Sequence, residues 1–132
     1  MSNAPKLSIV LMSPDMEKLH AGALMGSVAA ASGMEVNFFV TMEALRMFLK
    51  ETVEKQDFKV SGVGEKLLEK KVDLFYKMLE DAKDLGNLKV YACSLVVDVM
   101  GWEKEDMLDL IDDIIGVTAF FGIAEGSQIM VI

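Results

Sequence analysis

The sequence predicts an α/β domain: a mainly parallel sheet with helices packed on both of its faces. Three observations carry that expectation. Short apolar runs rich in β-formers alternate with longer stretches whose apolar residues recur every three or four positions. Strands separated by helices pair in parallel and bury both faces of the sheet, joined by right-handed crossovers. The 132 residues make one domain, 1–132, with no linker, internal repeat or low-complexity tract to divide it.

Lys6 to Met12 (KLSIVLM) reads as a buried strand. Ser13 is a natural N-cap, Pro14 fits the first helical position, and Asp15 and Glu17 suit the positive end of the helix that follows. That helix runs to Gly33, with Leu19, Ala23, Ser27 and Ala30 on one face. Gly22 and Gly26 keep its surface thin enough to lie close against a sheet. Met34 to Val40 is the second strand. Thr41 caps a helix from Met42 to about Glu51, and Thr52 to Glu65 has no clean period and reads as a loop or lid. Its GVGEKLL segment lacks both phosphate-binding glycine spacings.

Lys66 to Leu85 reads as the clearest helix, with Leu68, Val72, Phe75, Leu79 and Ala82 in line. Leu88 to Cys93 is the third strand. Trp102 to Ile115 has helical apolar spacing at Met107, Leu108, Ile111, Ile114 and Ile115. A short helix between Gly116 and Gly126 precedes a closing strand, Gln128 to Ile132. The order is β-α-β-α-α-β-α-α-(short β)-α-β.

Composition narrows function. Net charge is −8 and no basic cluster is interleaved with aromatics, which argues against nucleic acid and against an anionic membrane surface. The most apolar helix candidate carries His20 and falls short of a membrane span. MSNAPKLSIV does not read as a signal peptide, and a lone cysteine needs no oxidising compartment, so a cytoplasmic, soluble protein is expected. One Cys and one His at no standard spacing suggest no metal, and no cofactor is expected. Hydrophobic residues make up 52%, with eleven methionines, so part of the apolar surface is expected to meet partner subunits.

The lone cysteine sits in YACSLVVDVMG, Tyr91 to Gly101. One long buried strand would suit Val96, Val97 and Val99 but would bury Asp98. A break at Cys93–Ser94 removes that problem. Ser94 then caps a short helix, Leu95 to Met100, which Gly101 stops. In that geometry Cys93 lies at the carboxyl edge of the sheet, where ligands gather, and the helix start stabilises a thiolate. If the strand continues, the thiol is an inert core group. The pattern alone leaves both open.

DLGNLKVYACSLVVDVMGWEKEDMLD and IIGVTAFFGIAEGSQIMVI resemble the DsrE/DsrF-like sulfur-relay family, specifically its DsrE2-type branch. Cys93, Ser94, Asp98, Met100, Gly101, Glu105, Asp106, Gly116 and Val117 match its pattern. Ser13, Asp15, Leu19, Gly33, Glu35, Val36, Phe38 and Phe39 match in the N-terminal half. Two segments depart from it: VTMEAL, Val40 to Leu45, and LVV, Leu95 to Val97. The resemblance implies a three-layer domain with a mainly parallel five-stranded sheet, assembled as a trimeric or hexameric homo-oligomer. It also implies a sulfur carrier or sulfurtransferase-like protein that relays sulfane sulfur as a persulfide on Cys93, between donor and acceptor proteins. The alternative is a non-catalytic oligomeric module that binds a small ligand or a protein and keeps Cys93 as structure. Ser13, Ser94, Asp98, Met100, Gly101 and His20 are the candidates to line the site.

Overall fold

The computed structural model describes residues 4–132. Five strands, β1 (Lys6–Leu11), β2 (Glu35–Val40), β3 (Leu88–Cys93), β4 (Asp113–Ile115) and β5 (Gln128–Val131), form one sheet in the order β4-β3-β2-β1-β5. Every pairing is parallel. The helices are α1 (Met16–Ala31), α2 (Met42–Arg46), α3 (Lys50–Lys55), α4 (Gly62–Glu69), α5 (Phe75–Leu85), α6 (Ser94–Met100) and α7 (Val117–Ile123).

The strand order explains how the two faces are covered. From β1 to β4 the chain steps in one direction, and right-handed crossovers put the connecting helices on one face. The step from β4 to β5 runs back across three strands, so its only helix, α7, falls on the other face. The first face is apolar. Ile9, Leu11, Val36, Phe38, Val40, Val90 and Ala92 meet Leu19 and Ala23 of α1 and Phe75 and Leu79 of α5. The glycines of α1 serve the close packing expected of them. A Cβ on Gly26 would sit 2.6 Å from Cε2 of Phe38, and one on Gly22 would sit 2.8 Å from Cδ2 of Leu11.

Four expectations need correction. The first helix starts at Met16, with Asp15 rather than Ser13 as its N-cap. The helix expected from Met42 stops at Arg46, and α3 covers part of the expected loop. The rest of that loop is held against the domain. Asp15 bridges Lys59, Met16 N–H donates to the Lys59 carbonyl, and Phe58 packs edge-on against Phe75. The long helix over 66–85 is two helices. Lys71 turns left-handed (φ 56) between them, leaving Val72 exposed while Phe75 and Leu79 are buried.

The fourth correction is the helix expected over 102–115. Only a short 3-10 turn, Lys104–Asp106, forms there. Met107 pairs with Leu49, Asp112 N–H donates to the Val90 carbonyl, and the Asp112 carboxylate accepts from Val90 N–H. These tertiary bonds outbid the local period, and the β-branched Ile114 and Ile115 go to β4 instead.

Candidate functional site

Cys93 is the last residue of β3 and the N-cap of α6. The backbone is extended at Cys93 (φ −73, ψ 118) and helical from Ser94, so the break that Asp98 required is present, one residue earlier than expected. Gly101 stops α6 in the left-handed region (φ 70), where a residue without Cβ is favoured. Cys93 is in register with Ile115, the last residue of β4, and Gly116 next to it caps α7. Two helices therefore begin at neighbouring strand ends, and a Cβ on Gly116 would lie 3.5 Å from Ser94 Oγ. The first N–H groups of each helix lack intrahelical acceptors.

The thiol itself is covered. Cys93 is 2% exposed and packs with Phe39, Phe120 and Ala124. Phe39 and Phe120 stack with centroids 4.7 Å apart. Phe120 and Ala124 belong to α7 and its C-cap, so one two-turn helix closes this side of the sheet over the sulfur.

The other expected residues are spread out. Ser94 adjoins Cys93. Ser13 follows β1, its hydroxyl 3.3 Å from an Asp15 carboxylate oxygen. Asp98 is exposed on α6. His20 lies on α1, whose inward residues pack on the opposite face of the sheet from Cys93. Its Nδ1 is buried without a hydrogen-bond partner, and burial lowers its pKa below the ordinary histidine value.

Met100 joins a feature the pattern did not foretell. Met12, Met42, Leu95, Val99, Met100 and Trp102 line an open apolar groove of about 440 Å³. The first three of these follow the carboxyl ends of β1, β2 and β3. Met42 holds φ 52, an uncommon conformation for a non-glycine residue. Arg46 lies 5.4 Å from the centre of the Trp102 ring and pairs with Glu43 at 2.9 Å. The sequence signal was there: apolar residues one or two positions after three successive strands.

Among the described residues no group of three His, Cys, Asp or Glu side chains is placed to hold a metal, and no helix is long and apolar enough to cross a membrane.

A model of the DsrE/DsrF/DrsH-like family matches residues 58–132, from before α4 to the end of β5. This chain belongs to the DsrE/DsrF/DrsH-like family. The matched stretch holds Cys93, both helix starts beside it and Phe120, while Phe39 lies before it. Two solved structures share the fold of this DsrE/DsrF/DrsH-like chain. One is the ychN protein from E. coli, with TM-score 0.67 and 13% identity over 98% of this chain and 99% of that one. The other is MTH1491, a protein of unknown function from Methanobacterium thermoautotrophicum, with TM-score 0.65 and 12% identity over 97% and 99%. At that identity the likeness is one of fold. No curated protein matches the sequence.

Proposed function

We propose that this DsrE/DsrF/DrsH-like protein is a sulfur carrier that holds sulfane sulfur as a persulfide on Cys93. The observation that supports the reading is the turn from strand to helix at Cys93, inside the family-matched segment, with a second helix starting on the adjacent strand. N–H groups at helix starts favour negative charge, and a thiolate is the species that attacks. In the proposed cycle the Cys93 thiolate attacks the outer sulfur of a donor persulfide. A Cys93 S–S bond forms, the donor S–S bond breaks, and the donor leaves as a thiolate. An acceptor thiolate then takes the terminal sulfur and returns Cys93 to its starting state, with no net oxidation. One cysteine suffices because both other thiols belong to partners.

Burial sets the condition for this cycle: α7 has to move off the sulfur before a donor can reach it. Val117, Phe121, Ile129 and Val131 are exposed apolar residues on or beside α7. Assembly into a trimer or hexamer would cover such residues and could set the position of α7. Light scattering on the purified protein checks that assembly.

The 2% exposure of Cys93 also favours a second reading, a non-catalytic oligomeric binding module in which Cys93 is core. Intact-mass measurement after incubation with a small-molecule persulfide separates the two. The carrier gains one sulfur mass and Cys93→Ser gains none. Unchanged mass in both proteins removes the carrier reading.

A further inference from the structure

The apolar groove at the carboxyl ends of β1, β2 and β3 leaves much of its lining in water. Met12, Met42, Leu95, Val99 and Met100 are each 42% to 73% exposed, and with Trp102 they line one space of about 440 Å³. Contiguous apolar surface of this kind marks an interaction site. Met42 adds a second sign. It holds φ 52, a strained conformation for a non-glycine residue, yet it stays 48% exposed, so burial within the chain does not offset the strain. Three of the lining residues are methionines, whose flexible thioethers mould to apolar side chains of different shape. Trp102 is steadied by Arg46, 5.4 Å from the centre of its ring.

The charges beside the groove decide what can fill it. Asp98, Glu103, Glu105 and Asp106 belong to the stretch that carries Val99, Met100 and Trp102, and all four are exposed. Asp98 lies one turn from Leu95 on α6, and Glu103 follows Trp102 directly. None of the four has a cation within ion-pair distance among the described residues. Lys104 is the one cation of that stretch, so four carboxylates against one ammonium leave three negative charges. In the neighbouring segments charge is balanced. Glu43 pairs with Arg46 at 2.9 Å and Lys50 with Asp109 at 3.7 Å, while Asp15 and Glu17 stand against Lys18 and Lys59. A second copy of the chain would bring the same negative rim against this one, and an anionic membrane would be repelled as well. A groove this open would leave a small molecule largely in water. It lies across strand ends rather than along a strand edge, so a partner strand cannot extend the sheet there. A helix that is apolar on one side and positive along its flank meets both the lining and the rim.

We propose that this groove binds a basic amphipathic helix of another protein, with the helix's apolar side against the methionines, Leu95 and Val99 and its lysines or arginines toward Asp98, Glu103 and Glu105. The apolar contacts supply most of the affinity, and the rim selects the sign of the partner's charge. The groove takes its lining from residues other than Cys93.

Trp102 is the chain's single tryptophan, so its fluorescence reads the groove directly. The probe is a tryptophan-free helical peptide of leucine and lysine, about fourteen residues long, with its leucines at i, i+3, i+4 and i+7. A peptide of the same pattern with glutamate in place of lysine is the control for charge. The lysine peptide is expected to shift the Trp102 emission saturably, with half-saturation at about micromolar concentration. The double variant Leu95→Gln, Val99→Gln changes two exposed side chains and is expected to weaken binding at least about tenfold while thermal unfolding stays cooperative. Asp98→Asn weakens it about two- to fivefold, the worth of one exposed charge contact. Phe121→Ser, an exposed apolar residue on α7, and Cys93→Ser both leave binding unchanged, which separates the groove from general stickiness and from the sulfur reading. The proposal is overturned by the absence of a saturable shift, by an equal shift with the glutamate peptide, or by a shift that survives at full affinity in the double variant. A Trp102 emission that moves on protein dilution alone overturns it too, because a second copy then covers the groove, as does a larger response to phosphatidylserine vesicles than to the peptide.

Discussion

Phe38 and Phe39 are neighbours on β2 and point to opposite faces of the sheet, yet they live in different kinds of interior. Phe38 is fully buried under a sixteen-residue helix whose glycine lies against its ring. Phe39 is nearly as buried, but a single seven-residue helix covers it, and the same helix covers Cys93. On the first face burial is deep and redundant. On the second it depends on Phe120 and Ala124, with a polar groove on one side and exposed Val117 and Phe121 on the other. One face therefore holds the fold, and the other holds Cys93 under little more than a cover. Free energies of local opening follow such differences in cover.

The largest effect should come from breaking the first face. Phe38→Ala is expected to lower the unfolding free energy by about 3–5 kcal/mol, read from the urea midpoint at unchanged slope. A loss below about 1 kcal/mol would mean that the core collapses around the gap, and the contrast between the faces would fail. Gly26→Ala comes next. Its added methyl meets the Phe38 ring, and overpacking of this kind costs about 1–3 kcal/mol, less what alanine returns as a better helix former. The same exchange at Gly122, which faces open space, should stabilise or be neutral.

How much of this contrast was legible beforehand follows from the kind of information each part needs. Four of the strands and the body of α1 read correctly because β-former runs and small-residue spacing are local signals, and the buried Leu19, Ala23 and Ala30 keep that spacing in the fold. The break at Cys93 was legible through one residue, since Asp98 has no partner inside a sheet and reaches solvent on α6. The sealing of the thiol was not, because Phe120 comes from 27 residues further on and arrives only through the β4 to β5 crossover. The same holds for 102–115, where Asp112 bonds to Val90 and no local period announces that pairing. His20 looked close to the ligand edge in sequence, but the crossover rule puts α1 on the other face.

A smaller intervention sharpens the comparison at the sulfur. Phe120→Ala removes the larger half of the cover while leaving α6 and β3 intact. Alkylation of Cys93 by iodoacetamide in the folded protein should speed up about tenfold, matching about 1.4 kcal/mol of easier opening. Phe75→Ala, on the other face, should leave that rate within about twofold under conditions where both variants stay folded. Equal acceleration in the two variants would show that Cys93 is reached only by global unfolding.

The smallest expected effect belongs to His20. Burial lowers its folded pKa below 6.5, so in the folded state it gives up its proton more readily than in the unfolded chain. Above the unfolded value both states are neutral at this residue and its contribution to stability is complete. As pH falls through about 6.5 the unfolded chain takes up a proton that the folded one resists, and stability declines until pH reaches the lower folded value. The imidazole remains partly solvated, so the slope stays below one proton. His20→Gln should flatten the dependence of the urea midpoint on pH between neutrality and mild acid, while the Cys93 alkylation rate measured at fixed pH stays unchanged, because the two residues lie on opposite faces of the sheet. A change in that rate would couple the two faces and contradict the difference in cover drawn between them.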